Sequence, residues 1–313
     1  MNFEGKGSKE RVAERTQVYD NVFRTMLERT PKLIIYLINE VFSEDFAGEE
    51  AISLLQNKHA SEETTVETDS YVQIGNRYYH IECQSNPDGS MAIRMMEYDF
   101  LFALRNAEKN SFHYTMKYPN SCVLYLRHHE NTPDAVTVTV EMPNGERFTY
   151  QTPIVKVQEY ELQEIFEKKL LAFLPYYILK YEKNLETIEV DEEKRGELVR
   201  TYGEIAARLK DLENTDLTGF EVLKIRDYAL KILDWVARNE PKIREEVHQM
   251  CGTVIRTEVD DIYDSGKKEG MEEGRNRMAK LVGILMEAGD YDVVKQVVSD
   301  PKLCEEYYER YGI

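Results

Sequence analysis

Apolar residues return at helical spacing between Gln17 and Val41: Val18, Phe23, Met26 and Leu27, then Leu33, Ile34, Leu37 and Ile38. That spacing predicts amphipathic helix. Thr30-Pro31 interrupts it, and proline is pre-set for the first position of a helix, so two helices are expected rather than one. A short strand over Ala51 to Leu55 follows, and from Thr65 the period falls to two. The stretch Thr65 to Ser85, TVETDSYVQIGNRYYHIECQS, sets two runs rich in Val, Ile, Thr and Tyr around Gly75-Asn76. A dipeptide tolerant of positive φ between such runs predicts a β-hairpin with a type II′ or I′ turn. A two-residue turn also fixes the register. The numbers of paired residues then add to 151, so that Ile74 faces Arg77, Tyr71 faces His80 and Asp69 faces Glu82.

Asn86-Pro87-Asp88-Gly89 reads as a turn, and Met91 to Lys109 as one long amphipathic helix carrying Met95, Tyr98, Leu101, Phe102 and Leu104. The run Cys122 to Leu126 is expected as a strand returning parallel to the Glu82 strand over that helix, which makes the sheet mixed. Thr137 to Met142 and Phe148 to Thr152 flank Asn144-Gly145, a second hairpin signal, with Val136, Val138 and Val140 alternating toward one buried face. Tyr160 to Tyr181 reads as helical with a break at Pro175. Its LLAFLPYYIL is apolar nearly all round, which implies burial on every side. From Val190 the β signal vanishes: Glu192 to Leu212, Glu221 to Arg238 and Pro241 to Ala288 read as helical, and Leu281 to Ile313 as short helices punctuated by Gly289-Asp290 and Asp300-Pro301. The expected organisation is an α/β domain over 1–185 followed by an all-helical region over 186–313. Gly266, Gly270 and Gly274 recur every fourth residue, but between charged flanks, so a flexible or closely packed helix is expected there and not a membrane dimerisation motif.

Composition narrows the function classes. In 313 residues, 42% are hydrophobic and 31% charged, the balance of a globular protein. Forty basic against 58 acidic side chains leave a net charge of −18, the wrong sign for generic adhesion to DNA or to an anionic membrane. Residues 1–130 carry 14 basic and 20 acidic side chains, so the acidity is concentrated toward the C-terminus. Cys83, Cys122, Cys251 and Cys304 are too widely spaced for a zinc signature or a disulfide framework, which suggests a reducing, cytoplasmic setting. No run reaches the ~18 apolar residues of a membrane span, so no membrane partner is expected. His128, His129 and Glu130 resemble metal ligands only superficially, because adjacent histidines on a strand point to opposite faces.

The chemistry concentrates in the first hairpin. Opposed carboxylates on one sheet face destabilise it, and a divalent cation with hard oxygen ligands relieves them; Mg²⁺ or Mn²⁺ suits two carboxylates completed by a backbone carbonyl, here that of Cys83, and water. Period-2 alternation places Tyr78, His80, Glu82 and Gln84 on one face, with Tyr79, Ile81 and Cys83 on the other, ready to pack against a helix. A solvated polar face of an antiparallel strand would carry the same letters, and Asp20 is equally explained as a carboxylate near a helix N-terminus. Arg94, in the first turns of the helix after the Glu82 strand, has the fork geometry to hold a phosphate.

The order Asp20-x-x-Phe23 on a first helix, Asp69 on one strand, Glu82-x-Gln84 on the next and Arg94-Met95-x-x-Tyr98 on the following helix resembles the PD-(D/E)XK nuclease superfamily. Within it, the resemblance is to the recombination-promoting nuclease/putative transposase (Rpn) branch, and it covers roughly Asp20 to Tyr181. It implies a restriction-endonuclease-like mixed sheet flanked by helices, and a magnesium-dependent DNA endonuclease linked to recombination or transposition. Carried over, Asp69 and Glu82 are the metal ligands, Asp20 the helix acid beside them, and Arg94 and Tyr98 the substrate contacts. The chain departs from the superfamily at Gln84, where a lysine is expected; glutamine can orient water by hydrogen bonding but brings no charge. The competing expectation is a weak or inactive nuclease fold serving as an oligomerising or partner-binding module, a homodimer through the helical C-terminal region being one form of it.

Overall fold

The computed structural model describes residues 18–48, 50–55, 58–60, 65–67, 70–213, 215–254, 274, 277–286, 290–299 and 301–311. Helix α1 occupies residues 18–29 and α2 Lys32–Phe42, with Pro31 as the N-cap between them. Thr30 closes the first helix by donating its hydroxyl to the Met26 carbonyl at 2.6 Å. The two-helix expectation is met at the proline.

Six strands form the main sheet, in the order β1-β4-β5-β8-β10-β9: β1 Ile52–Leu55, β4 Ser70–Ile74, β5 Arg77–Gln84, β8 Asn120–Tyr125, β9 Ala135–Glu141 and β10 Arg147–Lys156. Its centre, β5-β8-β10, is parallel, and antiparallel pairs form its two edges. The sheet is therefore mixed, with helices flanking it and further helices toward the C-terminus. Two short ribbons lie apart from it, β2 Lys58–Ala60 with β3 Thr65–Glu67, and β6 Glu108–Asn110 with β7 His113–Thr115.

The β4–β5 register is the one the turn dictates: Ile74 pairs with Arg77, Tyr71 with His80 and Ser70 with Ile81. Gly75 takes φ 58° and Asn76 is not among the residues at positive φ, the pattern of a type II′ turn. At the second hairpin Gly145 takes φ 85°, while its amide donates to the Met142 carbonyl at 2.8 Å. Pro143 thus fills the second position of a tight turn and Gly145 the left-handed bulge after it, so this loop is longer than the two-residue one.

Two sequence expectations are corrected. Helix α3 spans Met91–Arg105, not Met91 to Lys109; the apolar stripe ends at Phe102, and the following residues pair as β6 instead. In 160–181 the break falls before Pro175. Helix α4, Leu162–Glu167, ends in a Schellman arrangement, with Leu170 N–H on the Ile165 carbonyl at 2.8 Å and Lys169 at φ 54°. Leu171–Lys180 follows as a 3₁₀ segment with Pro175 inside it, and Leu171 to Leu179 are buried throughout.

Contacts divide the chain into two compact units, Met1–Ile255 and Arg256–Ile313. In the first, one face of the sheet (Val72, Tyr79, Ile81, Cys83, Cys122, Leu124) joins α1, α2, the 3₁₀ segment and the helices α6 Glu192–Asp211, α7 Gly219–Val236 and α8 Pro241–Val254 in a single core. Helix α5, Leu185–Val190, precedes them. A segment apolar on all sides needs cover on all sides, which is why helices beyond Val190 pack with the sheet. The boundary expected between 185 and 186 falls inside this unit. In the second unit, residues 277–286 form α9, followed by α10 Tyr291–Ser299 and α11 Pro301–Tyr311, around Leu281, Leu285, Val297, Cys304 and Tyr308. Gly274 is helical; Gly266 and Gly270 lie outside the described residues. Among the described residues no helix is long and apolar enough to cross a membrane.

Candidate functional site

Strand β5 separates two environments by its period of two. Tyr79, Ile81 and Cys83 enter the main core, so Cys83 can offer a cation on the other face only its backbone. His80 and Glu82 turn the other way, beneath α3, where Met91 and Met95 pack on Val123 and Tyr125. Glu82 is 2% exposed. A carboxylate that far from water needs compensating partners, and among the described residues Arg94, Gln84 and His80 face it. Arg94 donates to Oε1 at 3.3 Å, Gln84 donates its amide to the same oxygen at 3.3 Å, and His80 Nε2 stands 3.6 Å from Oε2. The last separation is that of an ion pair rather than a hydrogen bond. Arg94 reaches Glu82 because it sits in the first turn of α3. Its Nε donates to the Tyr98 hydroxyl at 3.0 Å, and another nitrogen lies 3.8 Å from Asp88. The two residues expected to bind substrate are thus joined to each other and to the strand acid.

Behind Glu82 lies a network that sequence reasoning missed. His80 Nδ1 is 2.7 Å from Asp99 Oδ1, and Asp99 Oδ2 accepts from Ser121 at 2.5 Å and from Tyr150 at 2.6 Å. Both His80 and Asp99 are fully buried. The ring of Tyr71, the register partner of His80, stacks on the imidazole with centroids 4.3 Å apart. Burial alone would depress the imidazole pKa, but the contacts to Asp99 and Glu82 outweigh it and hold the group up at about 9. The contacts to Asp99 and Glu82 therefore favour the protonated ring. A signal for the network was present: His80 shares the face of Glu82 at period two, and Asp99 lies four residues after Met95 on the buried stripe of α3, where an unpaired acid is costly.

The helix acid is brought to the same place. Asp20 is half-buried in the first turn of α1, and burial together with the nearby charge of Glu82 pushes its carboxyl up to about 6, against the opposing pull of Arg24 and Arg94. Its Oδ1 is buried without a hydrogen-bond partner among the described residues. The start of α1 is fixed by Arg127, just beyond β8, which donates to the Tyr19 hydroxyl at 2.8 Å, to Glu182 at 2.6 and 2.9 Å and to the Ser85 carbonyl at 3.3 Å. Asp69 lies outside the described residues. His128 and His129 follow the end of β8, and His128 stands 3.4 Å from Glu159.

Asp20, Glu82, Gln84, Arg94 and Tyr98 are thus gathered at one end of β5. A carboxylate with an uncommitted buried oxygen beside a second carboxylate is a chemistry that fits a hard cation, and an arginine at the rim fits an anion bound next to it. Comparison of the chain with protein-family models, with curated proteins and with solved structures finds no match in any of the three.

Proposed function

We propose that the protein is a metal-dependent DNA endonuclease of the PD-(D/E)XK type, similar to the Rpn branch and linked to recombination or transposition, working in the cytoplasm. The observation that carries this reading is that Asp20, on a helix, lies within electrostatic reach of Glu82, on a strand, with Asp20 Oδ1 buried and without a hydrogen-bond partner among the described residues. The β4–β5 pairs that are described add to 151, and Asp69, the acid expected opposite Glu82, lies outside the described residues. Asp69, Glu82 and the carbonyl of Cys83 would hold Mg²⁺ or Mn²⁺, with Asp20 completing the outer set. When bound, the ion supplies Lewis acidity at the scissile phosphate and lowers the pKa of water.

The chain's own residues do the rest. Gln84 orients the attacking water through its side-chain oxygen or amide, without the charge a lysine would bring. Arg94 exchanges its hold on Glu82 for a phosphate oxygen next to the cut, and Tyr98 keeps the guanidinium aimed. His80, fixed by Asp99, stands behind Glu82 and helps hold its carboxylate in one rotamer. The test is plasmid nicking with Mg²⁺ or Mn²⁺. The wild type should nick, while Asp69→Ala and Glu82→Gln should lose at least a hundredfold in rate; equal cutting by all three rules the site out. If none cuts and calorimetry finds no Mg²⁺ or Mn²⁺ binding that depends on Glu82, the fold serves as a partner-binding module instead. The saturated surroundings of Glu82 and the missing lysine favour that second reading.

A further inference from the structure

One element of the first unit has strand residues that are all exposed. Every residue from Glu108 to Tyr118 is exposed, including both strands of the β6–β7 ribbon. An isolated two-stranded ribbon is marginal in water and gains little by burying nothing. Its apolar side chains are large and fall at alternate positions: Phe112 is 102% exposed at the tip, with Tyr114 at 53%, Met116 and Tyr118 after it. The ribbon is also locally cationic in an acidic protein: residues 105–118 hold Arg105, Lys109 and Lys117 against Glu108 alone, within a chain of net charge −18. Lys109 lies over the Tyr114 ring, 5.5 Å from its centroid, and Lys117 pairs with Glu108 at 2.6 Å.

We propose that the β6–β7 ribbon captures single-stranded DNA, stacking unpaired bases on Phe112, Tyr114 and Tyr118 while Lys109 and Lys117 take the flanking phosphates. Open aromatic faces interleaved with cations are the pattern by which proteins hold single strands without reading sequence. A second copy pairing ribbon to ribbon is the poorer occupant, because it would bring together two like-charged segments, each with Arg105, Lys109 and Lys117 against Glu108 alone. The ribbon is tied to the candidate site by contact. Tyr118 lies against Tyr150, the Tyr150 hydroxyl binds Asp99, Asp99 binds His80, and His80 stands beside Glu82. Helix α3, which begins at Arg94's turn and ends before the ribbon, has 15 residues and so separates the two by roughly 20 Å. A strand held at both places spans about six nucleotides at the stacked rise of ~3.4 Å. Naming DNA, and a path to Glu82, rests on the nuclease reading above.

The test uses the full chain and a fluorescently labelled (dT)20, with Ca²⁺ in place of Mg²⁺, read by anisotropy. Phe112→Ala with Tyr114→Ala should weaken binding tenfold or more, and (dT)4 should bind the wild type as weakly as the variant binds (dT)20. Phe220→Ala, which removes an exposed ring under Lys224 on α7, should bind as wild type does. All three proteins should share one melting temperature, since the altered rings are exposed. The proposal is overturned if the wild type fails to bind (dT)20, if the double variant binds it equally well, or if the variant alters only the sedimenting mass. Hydrolysis of bis(p-nitrophenyl) phosphate separates this from the nuclease reading: the ribbon variant should match wild type. Binding that depends on Phe112 with no hydrolysis of either substrate leaves the ribbon standing and removes the nuclease; cutting that is indifferent to Phe112 does the reverse.

Discussion

A buried imidazole between two carboxylates changes the sign of its own burial. His80 would be neutral in an apolar site, yet Asp99 at 2.7 Å and Glu82 at 3.6 Å make the cation the favoured form. The folded pKa, about 9, lies above the ordinary 6.5, so the stability His80 contributes is complete below about pH 6.5 and is lost as pH rises through about 9. Asp20 acts in the same direction in a lower window, its raised value of about 6 against 3.8 making stability fall as pH rises from about 4 to 6. Urea midpoints taken from pH 6.5 to 9 should therefore decline in the wild type and decline much less in Asp99→Asn, where the charge that holds the proton is gone. A flat wild-type profile would show that His80 is neutral in the folded state. At this scale the sequence revealed Glu82 and its same-face neighbours, because strand alternation is local. It did not reveal the partner of His80, because Asp99 is brought there only by the way α3 lies on the sheet.

Elements are stopped by chemistry within a few residues of their ends. Helix α7 starts in a capping box: the Thr218 hydroxyl accepts from the Glu221 amide at 3.2 Å, and the Glu221 carboxylate accepts from the Thr218 amide at 2.8 Å. Asp191 caps α6 with its side chain alone, accepting from the amides of Glu193 and Lys194. Because α7 shares the core of the Leu171–Lys180 segment, Thr218→Ala should cost about 1 kcal/mol, lowering the melting temperature of the first unit by about 2–4 °C in a calorimetric scan. No shift would mean that the box is dispensable. Helical composition made α6 legible to within a residue of its ends, whereas α7 starts at Gly219, two residues before the expected Glu221, and ends at Val236 rather than Arg238. The end of α3 was not, since Arg105 to Lys109 carries acceptable helix formers, and only the pairing of β6 with β7 decides against helix there.

Across the whole molecule, the two compact units have separate cores, one running from Tyr19 to Cys251 and the other built on Leu281, Leu285 and Val297. Among the described residues the two cores share no member. A chain ending at Val254 should then keep the melting temperature of the sheet within about 2 °C by circular dichroism; a larger loss would mean that the C-terminal unit supports the first. Net charge was a fair guide to the whole and a poor one to the parts. A balance of −18 says nothing of Lys109 and Lys117 on a ribbon, or of Arg94 and His80 beside a buried glutamate.

The sequence by itself determined the first hairpin: a Gly-Asn turn sets the pairing, period two sets the faces, and both act between neighbours. It determined the proline that divides α1 from α2 and the buried character of LLAFLPYYIL for the same reason. Only the tertiary structure decided that helices after Val190 close over that segment, that Asp99 lies against His80, and that Asp20 comes within electrostatic reach of Glu82. Those meetings join residues far apart in the chain. They depend on how helices stack on a sheet, which no short-range pattern encodes.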